Sequence, residues 1–362
     1  MDKIDFRSDT ITWPTPAMRE AMAVALVGDD VYGEDPTVNQ LETLAASMVG
    51  QEAGLFVVSG TMGNLTAILT HANRGDEAIV GEDAHTYCYE AGGMAVLGGI
   101  TPRPLPTDDC GRLDAGQVET AVRPDDPHFP HTRLLLLENS YGAKQGYPLS
   151  PDYFATMRAI ADRHQLLIHL DGARLFNAAV AQSLPASELT KHVDSVTFCL
   201  SKGLSAPVGS VLCGTAEFIA RARRTRKLIG GGMRQAGVLA AAGIVALTQM
   251  VERLADDHRH AQQLAQGLQQ IPGIRVNPAA VRTNMVFFSL SEELGIMADE
   301  VATALRQQAN IWLDKIGPQS FRAVTHYWVG SDEVARFLEM LGAIIDERPS
   351  VDRRQTTEVD NR

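Results

Sequence analysis

The sequence predicts an α/β protein with a mostly parallel central sheet and helices on both faces. Short apolar runs without polar alternation recur along the first two thirds of the chain, as expected for strands that are buried on both faces. Helical stretches separate these runs, and that alternation is typical of a doubly wound sheet. The predicted strands are residues 55–58, 78–80, 134–137, 166–170, 196–200 and 208–213.

Three features predict individual helices. Thr15 followed by Pro16 is typical of a helix start, because threonine is a common N-cap and proline suits the first helical position. The run Thr37-Val38-Asn39-Gln40 has the pattern of a capping box. Residues 236–271 have helical character throughout, and Pro272-Gly273 follows as a turn signal, so we expect one long connector helix.

The length of 362 residues suggests two domains. Beyond the connector, strand-like residues 286–290 and 322–326 alternate with helical stretches at 298–308 and near Ser331, which predicts a compact α+β domain. We therefore expect an N-terminal arm at 1–15, a large domain at 16–250, a smaller α+β C-terminal domain at 251–347 and a flexible tail at 348–362.

Charge and cysteine content exclude several classes of protein. The 32 basic and 44 acidic residues give a net charge of −12, which would repel nucleic acid. No stretch reaches the roughly 18 uninterrupted apolar residues of a membrane helix. Four cysteines without paired spacing favour a reducing compartment. We expect a cytoplasmic protein that binds neither nucleic acid nor membrane.

Polar residues follow three of the predicted strands, at the edge where doubly wound sheets bind their ligands. The run Ser59-Gly60-Thr61-Met62-Gly63-Asn64 could open a helix whose N–H groups cradle a phosphate. Asp171 and Lys202 follow two later strands. Separately, these features are equally typical of a tight turn, a strand-end carboxylate and a surface lysine.

Together, the three features match the needs of pyridoxal 5′-phosphate. This cofactor requires a lysine for its aldehyde, a carboxylate at its pyridinium nitrogen and a phosphate cradle. The glycine motifs of nucleotide-binding proteins are absent. The sequence therefore predicts pyridoxal 5′-phosphate as the cofactor of the large domain.

Blocks of residues along nearly the whole chain, apart from the tail, match one known family. They are Phe6-Arg7-Ser8-Asp9-Thr10, Gly28-Asp29-Asp30-Val31-Tyr32-Gly33, the run from Ser59 to Asn64, His85, Glu90-Ala91-Gly92-Gly93, His169-Leu170-Asp171-Gly172-Ala173-Arg174, Cys199-Leu200-Ser201-Lys202-Gly203, Gly230-Gly231-Gly232-Met233-Arg234-Gln235 and Arg322-Ala323-Val324-Thr325-His326. In these blocks the chain resembles the low-specificity L-threonine aldolases, which are fold type I pyridoxal phosphate enzymes related to aspartate aminotransferase.

The resemblance implies how the cofactor is held. Lys202 would form the Schiff base, and Asp171 would pair with the pyridinium nitrogen. Backbone groups of Gly60, Thr61 and Met62 would hold the phosphate.

The resemblance also implies a set of residues around the substrate. His85 would cover one face of the cofactor and act as a base or position one. Arg174, beside the cofactor, would grip the substrate carboxylate together with Arg322 and Ser8, because a guanidinium matches that anion in a bidentate fork. Taken alone, Arg322 would more often be a surface residue.

Two further residues are implied at a subunit boundary. Tyr32 would reach the active site of a neighbouring subunit, which implies a homodimer with shared sites, commonly assembled as a tetramer. A loop aromatic packed on its own subunit is the alternative. Arg234 would lie near the phosphate, although a structural salt bridge is equally consistent with its position.

One block departs from the family. Members usually continue Glu-Asn-Thr-His-Asn after the strand at 134–137, whereas this chain has Glu138-Asn139-Ser140-Tyr141-Gly142. The resemblance would place Tyr141 near the substrate β-hydroxyl, as a catalytic or substrate-binding residue. Tyr141 could be a tolerated variant, or its loop could reshape the pocket for another substrate such as an aryl-serine.

The implied reaction is retro-aldol cleavage of an L-β-hydroxy-α-amino acid to glycine and an aldehyde. A β-eliminating lyase, an aminotransferase or a glycine transaldolase would use the same cofactor anchors and remain alternatives. A non-catalytic cofactor-binding protein is disfavoured by the retained Lys202 and Asp171. No cluster has the spacing of catalytic zinc ligands, so we expect no metal requirement for the chemistry.

Overall fold

The computed structural model describes residues 3–346, so the predicted tail at 348–362 lies outside the described residues. These residues form two compact units, one of Thr12–Asp256 and one of residues 3–11 together with 257–346. The strands are β1 Ile4–Asp5, β2 Ala53–Val57, β3 Glu77–Gly81, β4 Thr101–Leu105, β5 Thr132–Glu138, β6 Leu167–Asp171, β7 Ser195–Cys199, β8 Ser210–Gly214, β9 Ile274–Val276, β10 Met285–Leu290, β11 Ile311–Trp312, β12 Asp314–Lys315 and β13 Ser320–Val324.

The α-helices are α1 Pro16–Ala23, α2 Pro36–Met48, α3 Gly60–His71, α4 His85–Cys88, α5 Gly93–Val96, α6 Ala115–Ala121, α7 Pro151–His164, α8 Leu175–Gln182, α9 Ala186–Thr190, α10 Ala216–Leu228, α11 Gly237–Val245, α12 Leu254–Leu268, α13 Ala298–Ala309 and α14 Ser331–Asp346. Short 3₁₀ turns lie at Asp9–Ile11, Asp30–Tyr32, Pro278–Ala280 and Glu292–Leu294, and a π-helical turn lies at Ala246–Met250.

The larger unit is built on a seven-stranded sheet in the order β2-β8-β7-β6-β5-β3-β4. Strand β8 is antiparallel to both of its neighbours, and the other pairs are parallel. All six predicted apolar runs lie on strands of this sheet, so the mostly parallel α/β prediction is confirmed. Strand β4 was missed because its sequence, Thr-Pro-Arg-Pro-Leu, contains two prolines, which only an edge strand tolerates.

Helices cover both faces of this sheet. Phe56 of β2 packs in one hydrophobic cluster with Leu41 of α2. Its neighbours Leu55 and Val57 pack in another cluster with Phe218 of α10. Because successive strand residues point to opposite faces, each face of β2 is buried against helices, which explains why the strand sequences lack polar alternation.

The N-cap prediction at Thr15 is confirmed, because its side chain accepts the N–H of Met18. The capping box at Thr37 is wrong: α2 begins at Pro36, and Asp35 caps it by accepting the N–H groups of Thr37 and Val38. The Thr37 hydroxyl instead donates to the carbonyl of Leu26. An ionised Asp35 is the stronger cap, since its charge also complements the helix dipole.

The single connector helix predicted over 236–271 is also wrong. Helix α11 passes into the π-helical turn Ala246–Met250, and α12 starts only at Leu254. The wider π turn disrupts the regular helix and allows it to bend. Within residues 3–346, no single helix is long and apolar enough to cross a membrane. Only the segments Gly237–Met250 and Leu254–Leu268 taken together would be long enough, and a bend of 66° separates them.

The smaller unit contains an antiparallel sheet in the order β12-β13-β10-β9, and a parallel pair of β1 with β11. Predicted strands and helices of the α+β region correspond to β10, β13, α13 and α14. The stretch expected as a separate arm contributes β1 and the buried Phe6, whose ring lies 5.0 Å from that of Phe337. Through Ile4 and Phe6, this stretch packs into the hydrophobic core of the smaller unit.

Candidate functional site

The carboxyl ends of four neighbouring strands bring the main polar residues of the larger unit together. Glu138 is the last residue of β5 and pairs in register with Asp171, the last residue of β6. Lys202 follows β7 after two residues, and His85 follows β3 after three. These four side chains come from one edge of the sheet, as the sequence predicted for Asp171 and Lys202.

Asp171 is buried, and both of its carboxylate oxygens accept hydrogen bonds. The Asn64 side-chain amide donates to Oδ2 over 2.9 Å, and the backbone N–H of Ala173 donates to Oδ1 over 3.0 Å. Donors on both oxygens fix the orientation of the carboxylate. Such a carboxylate suits the protonated ring nitrogen of pyridoxal phosphate.

His85 is held at two points. Its backbone N–H donates to Glu138 Oε2 over 2.8 Å, and its ring Nδ1 lies 2.9 Å from Glu90 Oε1. The hydrogen bond to Glu90 raises the pKa of His85, with a further contribution from the charge of Asp171. The charge of Lys202 acts in the opposite direction. His85 therefore lies within electrostatic reach of both predicted cofactor anchors.

Two carboxyl groups of this site received no role from sequence reasoning. Burial raises the pKa of Glu90, which accepts bonds from His85 and from the Asn64 amide. Burial, and then the neighbouring Asp171, raise the pKa of Glu138 to about 7, although it accepts the N–H groups of His85 and Gly142. Glu138 directly follows a predicted strand, so the rule that found Asp171 would also have found it.

Ligand atoms of His85, Glu90 and Asp171 lie within 4.8 Å of one another, a spacing that would admit a cation. Asn64 already donates to both carboxylates and the His85 ring bonds to Glu90, so the protein itself satisfies this cluster. The absence of a metal requirement stays a prediction.

The predicted phosphate cradle opens α3. Ser59 is the N-cap, and its hydroxyl oxygen accepts the N–H of Met62 over 3.1 Å. Of the three predicted backbone donors, Gly60 and Thr61 are thus the better placed for a phosphate at the helix N-terminus. A Cβ on Gly60 would lie 2.9 Å from Cys199 Sγ, so glycine lets the helix start close to β7.

Lys202 lies in a turn that other residues fix. Its carbonyl accepts the hydroxyl of Thr12 over 3.0 Å and the N–H of Ser205 over 2.8 Å. Lys202 and Arg174, which precedes α8, line the same small cleft. The larger unit therefore places both Lys202 and Arg174 at one cleft near the carboxyl end of β7.

Tyr141 lies in a packed position beside two strands of the sheet. Its side chain is 2% exposed and packs in a hydrophobic cluster with residues of β3 and β5. Its hydroxyl donates to Asp83 Oδ1 over 2.8 Å, and burial raises its pKa. This hydrogen bond anchors the Tyr141 loop to Asp83. The catalytic or substrate-binding role of Tyr141 stays a prediction.

The remaining predicted residues make other contacts in their own units. Arg234 pairs with Asp29 over 2.8 Å, which favours the structural salt bridge over a phosphate contact. Tyr32 is 75% exposed on the 3₁₀ turn that follows Asp29. Ser8 and Arg322 belong to the smaller unit, where the Arg322 guanidinium donates to the carbonyl of Arg7 over 3.1 Å. Their predicted substrate contacts stay predictions.

Comparisons with known proteins agree with this geometry. Residues 5–291 match the family model described as beta-eliminating lyase. The chain belongs to the β-eliminating lyase family. Its relatives include low-specificity L-threonine aldolase 1 of Arabidopsis thaliana, 45% identical with 92% of this chain and 94% of the relative covered. The low specificity L-threonine aldolase of Escherichia coli K12 is also 45% identical, with 92% and 96% covered.

Solved structures share the fold. A threonine aldolase of Leishmania major has a TM-score of 0.78 at 20% identity, covering 94% of this chain and 99% of that one. A putative L-allo-threonine aldolase of Listeria monocytogenes has a TM-score of 0.76 at 21% identity, covering 93% and 95%. The predicted fold type I architecture and family resemblance are confirmed, and as a member of this family the chain is a pyridoxal phosphate-dependent lyase.

Proposed function

We propose that this enzyme cleaves L-β-hydroxy-α-amino acids, L-threonine and L-allo-threonine among them, to glycine and an aldehyde. The observation that carries the proposal is the convergence of Lys202, Asp171 and His85 at one sheet edge. In addition, the protein is 45% identical to low-specificity L-threonine aldolases over most of its length.

Bound pyridoxal phosphate supplies an electron sink for the carbon–carbon bond that breaks. Lys202 would hold the cofactor covalently, Asp171 would keep its ring nitrogen protonated, and the N-terminus of α3 would bind its phosphate. Arg174 would bind the substrate carboxylate with its fork of donors. His85 would take the proton of the β-hydroxyl as the aldehyde leaves, and Cα would gain a proton to give glycine.

A product assay tests the proposal. The protein is incubated with threonine, allo-threonine, phenylserine and hydroxyaspartate, and glycine, aldehyde, ammonia and keto acid are measured separately. An aldolase releases glycine and aldehyde in equal amounts. Ammonia with a keto acid would instead establish β-elimination, which the family description also admits, and transfer of the amino group would establish an aminotransferase.

The pairing of His85 with Glu90 predicts a pH effect. Glu90 raises the pKa of His85, so removing the carboxylate charge lowers that pKa. A base must be neutral to accept a proton, so Glu90→Gln should move the acidic limb of the kcat/KM profile to lower pH. The exposed Glu82→Gln is the matched control and should leave that limb in place. If the acidic limb of the kcat/KM profile stayed at the same pH in Glu90→Gln, His85 would not be the titrating base.

We further propose a homo-oligomer with shared active sites, either a dimer or a tetramer formed by two such dimers. Beside the exposed Tyr32, the stretch 24–32 exposes Val24, Leu26, Val27 and Val31. A second copy of the chain would cover such an apolar patch. The Tyr32 turn is held firmly in place by the pairs of Asp29 with Arg234 and Asp30 with Arg226.

Mixed subunits test the shared site. Tyr32→Phe and Lys202→Ala variants should each be inactive, and co-refolding them should restore part of the activity. Recovery is expected because a hybrid dimer retains one site with both an intact Tyr32 and an intact Lys202. Each variant refolded alone is the control. Verified hybrids without activity would place Tyr32 outside the partner's site.

A cytoplasmic location also stays a proposal. The described cysteines, Cys88, Cys110, Cys199 and Cys213, are all free thiols. Free thiols are typical of a reducing compartment.

A further inference from the structure

A chain of buried polar side chains lies between α3 and the sheet, directly behind Asp171. It runs from Asn64 to His169, Ser195 and His71, and all four side chains are buried. Asn64 and His71 lie two turns apart on one side of α3, whereas His169 and Ser195 pair in register on β6 and β7. The chain therefore starts and ends on α3 and crosses two strands of the sheet.

The contacts along this chain indicate which atom donates each hydrogen bond. Asn64 Nδ2 lies 2.9 Å from both Asp171 Oδ2 and Glu90 Oε1. Carboxylate oxygens accept, so the NH₂ group of the amide must face them and its two hydrogens are used there. The Asn64 carbonyl oxygen then lies 3.1 Å from His169 Nε2, which must carry a hydrogen.

The same reasoning gives the proton positions from His169 to His71, at the other end of these hydrogen bonds. Burial lowers the pKa of His169 to about 3, so its ring is neutral and Nδ1 is an acceptor. The Ser195 hydroxyl, 2.8 Å away, donates to it. Since that hydroxyl has one hydrogen, its oxygen accepts from His71 Nε2 over 2.7 Å. Every link therefore donates toward Asp171.

Packing alone does not explain these residues. A neutral imidazole and a hydroxyl in the core stabilise the fold less than apolar side chains of similar volume unless each bond is made. Asp171 and His169 lie two residues apart on β6 and so face the same side of the sheet. At its Asn64 end, this hydrogen-bonded chain reaches the two carboxylates of the site. Asp171 is expected at the cofactor ring, and Glu90 is bonded to His85.

We propose that His169 is a positioning residue, which acts through Asn64 to orient Asp171 for the cofactor ring nitrogen and to hold α3, with its phosphate cradle, on the sheet. This inference rests on the proposed cofactor site. It assigns to His169, Ser195 and His71 a function in cofactor binding although none of them is expected to touch the cofactor.

The test uses His169→Met, which fills similar volume but removes the donor to Asn64. We expect the dissociation constant for pyridoxal phosphate to rise about 10- to 100-fold, because an Asn64 amide that is no longer held by His169 weakens its bond to the Asp171 carboxylate, and hydrogen bonds to charged groups are among the strongest. We also expect the pH midpoint of the bound cofactor's visible absorption to move upward, since a misoriented Asp171 no longer holds the positive charge on the ring nitrogen.

Three further variants separate positioning from folding. His169→Gln can still donate to Asn64 and should recover most of the affinity and the normal midpoint. Ser195→Ala keeps the His169 ring but removes its hydrogen-bond donor, and it should change both readouts in the same direction by a smaller amount. This variant also tests the proposal if His169→Met fails to fold. Thr66→Val removes a buried hydroxyl from the same helix, outside the chain, and should leave both readouts unchanged.

A merely structural role makes a different prediction. In that case His169→Met and Ser195→Ala would lower the melting temperature while the dissociation constant stayed within twofold and the midpoint stayed fixed, and the proposal would be overturned. ¹⁵N NMR should show Nε2–H tautomers for His169 and His71, and an Nδ1–H tautomer of His169 would also overturn it. Failure of the unmodified protein to bind pyridoxal phosphate would refute the proposed cofactor site itself, before any variant is compared.

Discussion

Lys202→Ala should reduce turnover by about a thousandfold or more, because it removes both the covalent hold on the cofactor and the amine that is available for proton transfer. The turn that carries Lys202 is fixed by Thr12 and Ser205 through the backbone carbonyl. Truncating the side chain leaves these bonds intact. The loss of activity should therefore occur without a loss of fold, and it is measured as glycine release from threonine.

Borohydride reduction gives this prediction a second readout. In the unmodified enzyme, reduction should attach the cofactor permanently to the peptide that contains Lys202, and mass spectrometry should find it there. Lys191→Ala, which removes an exposed lysine of the same unit, is the matched control and should keep both activity and labelling. Turnover that survives in Lys202→Ala, or labelling of another lysine, would contradict the assignment.

The sequence was most informative about Asp171 and Lys202 because each directly follows an apolar run. A buried parallel strand leaves a recognisable pattern, and its carboxyl end is where ligands bind. The same pattern failed for β4, where prolines at the sheet edge replace the apolar run. It also gave no sign of the π-helical turn at Ala246–Met250, since that segment remains apolar on its buried side.

Contacts between distant residues explain the rest of what sequence reasoning missed. Tyr141 bonds to Asp83, 58 residues away, and the resemblance could not show this contact. Asn64 meets Asp171 across 107 residues and His169 across 105. Spacing along the chain carries no information about such pairs, because they depend on how α3 packs on the sheet.

Arg226 should prove to be one of the most important residues for stability. Its side chain is 2% exposed, and Nη2 lies 2.7 Å from Asp30 Oδ2 while Nη1 donates to the carbonyl of Phe56 over 2.7 Å. Arg226→Ala would remove the close partner of the equally buried Asp30 and leave it only the longer contact with Arg223, whose Nη1 lies 3.9 Å from Asp30 Oδ1. Removing one partner of a buried pair typically costs about 3–5 kcal/mol in the free energy of unfolding, which urea unfolding of the cofactor-free protein measures.

An exposed pair provides the control for this prediction. Arg163 bonds to Glu119 over 2.9 Å with both side chains about half exposed, so Arg163→Ala should lower the free energy of unfolding far less than Arg226→Ala. If burial of an unpaired charge is the cause, Asp30→Asn combined with Arg226→Met should be more stable than Arg226→Met alone. Equal losses for Arg226→Ala and Arg163→Ala would contradict this explanation. Because Asp30 begins the turn that carries Tyr32, Arg226→Ala should also weaken subunit association, and sedimentation would detect the smaller species.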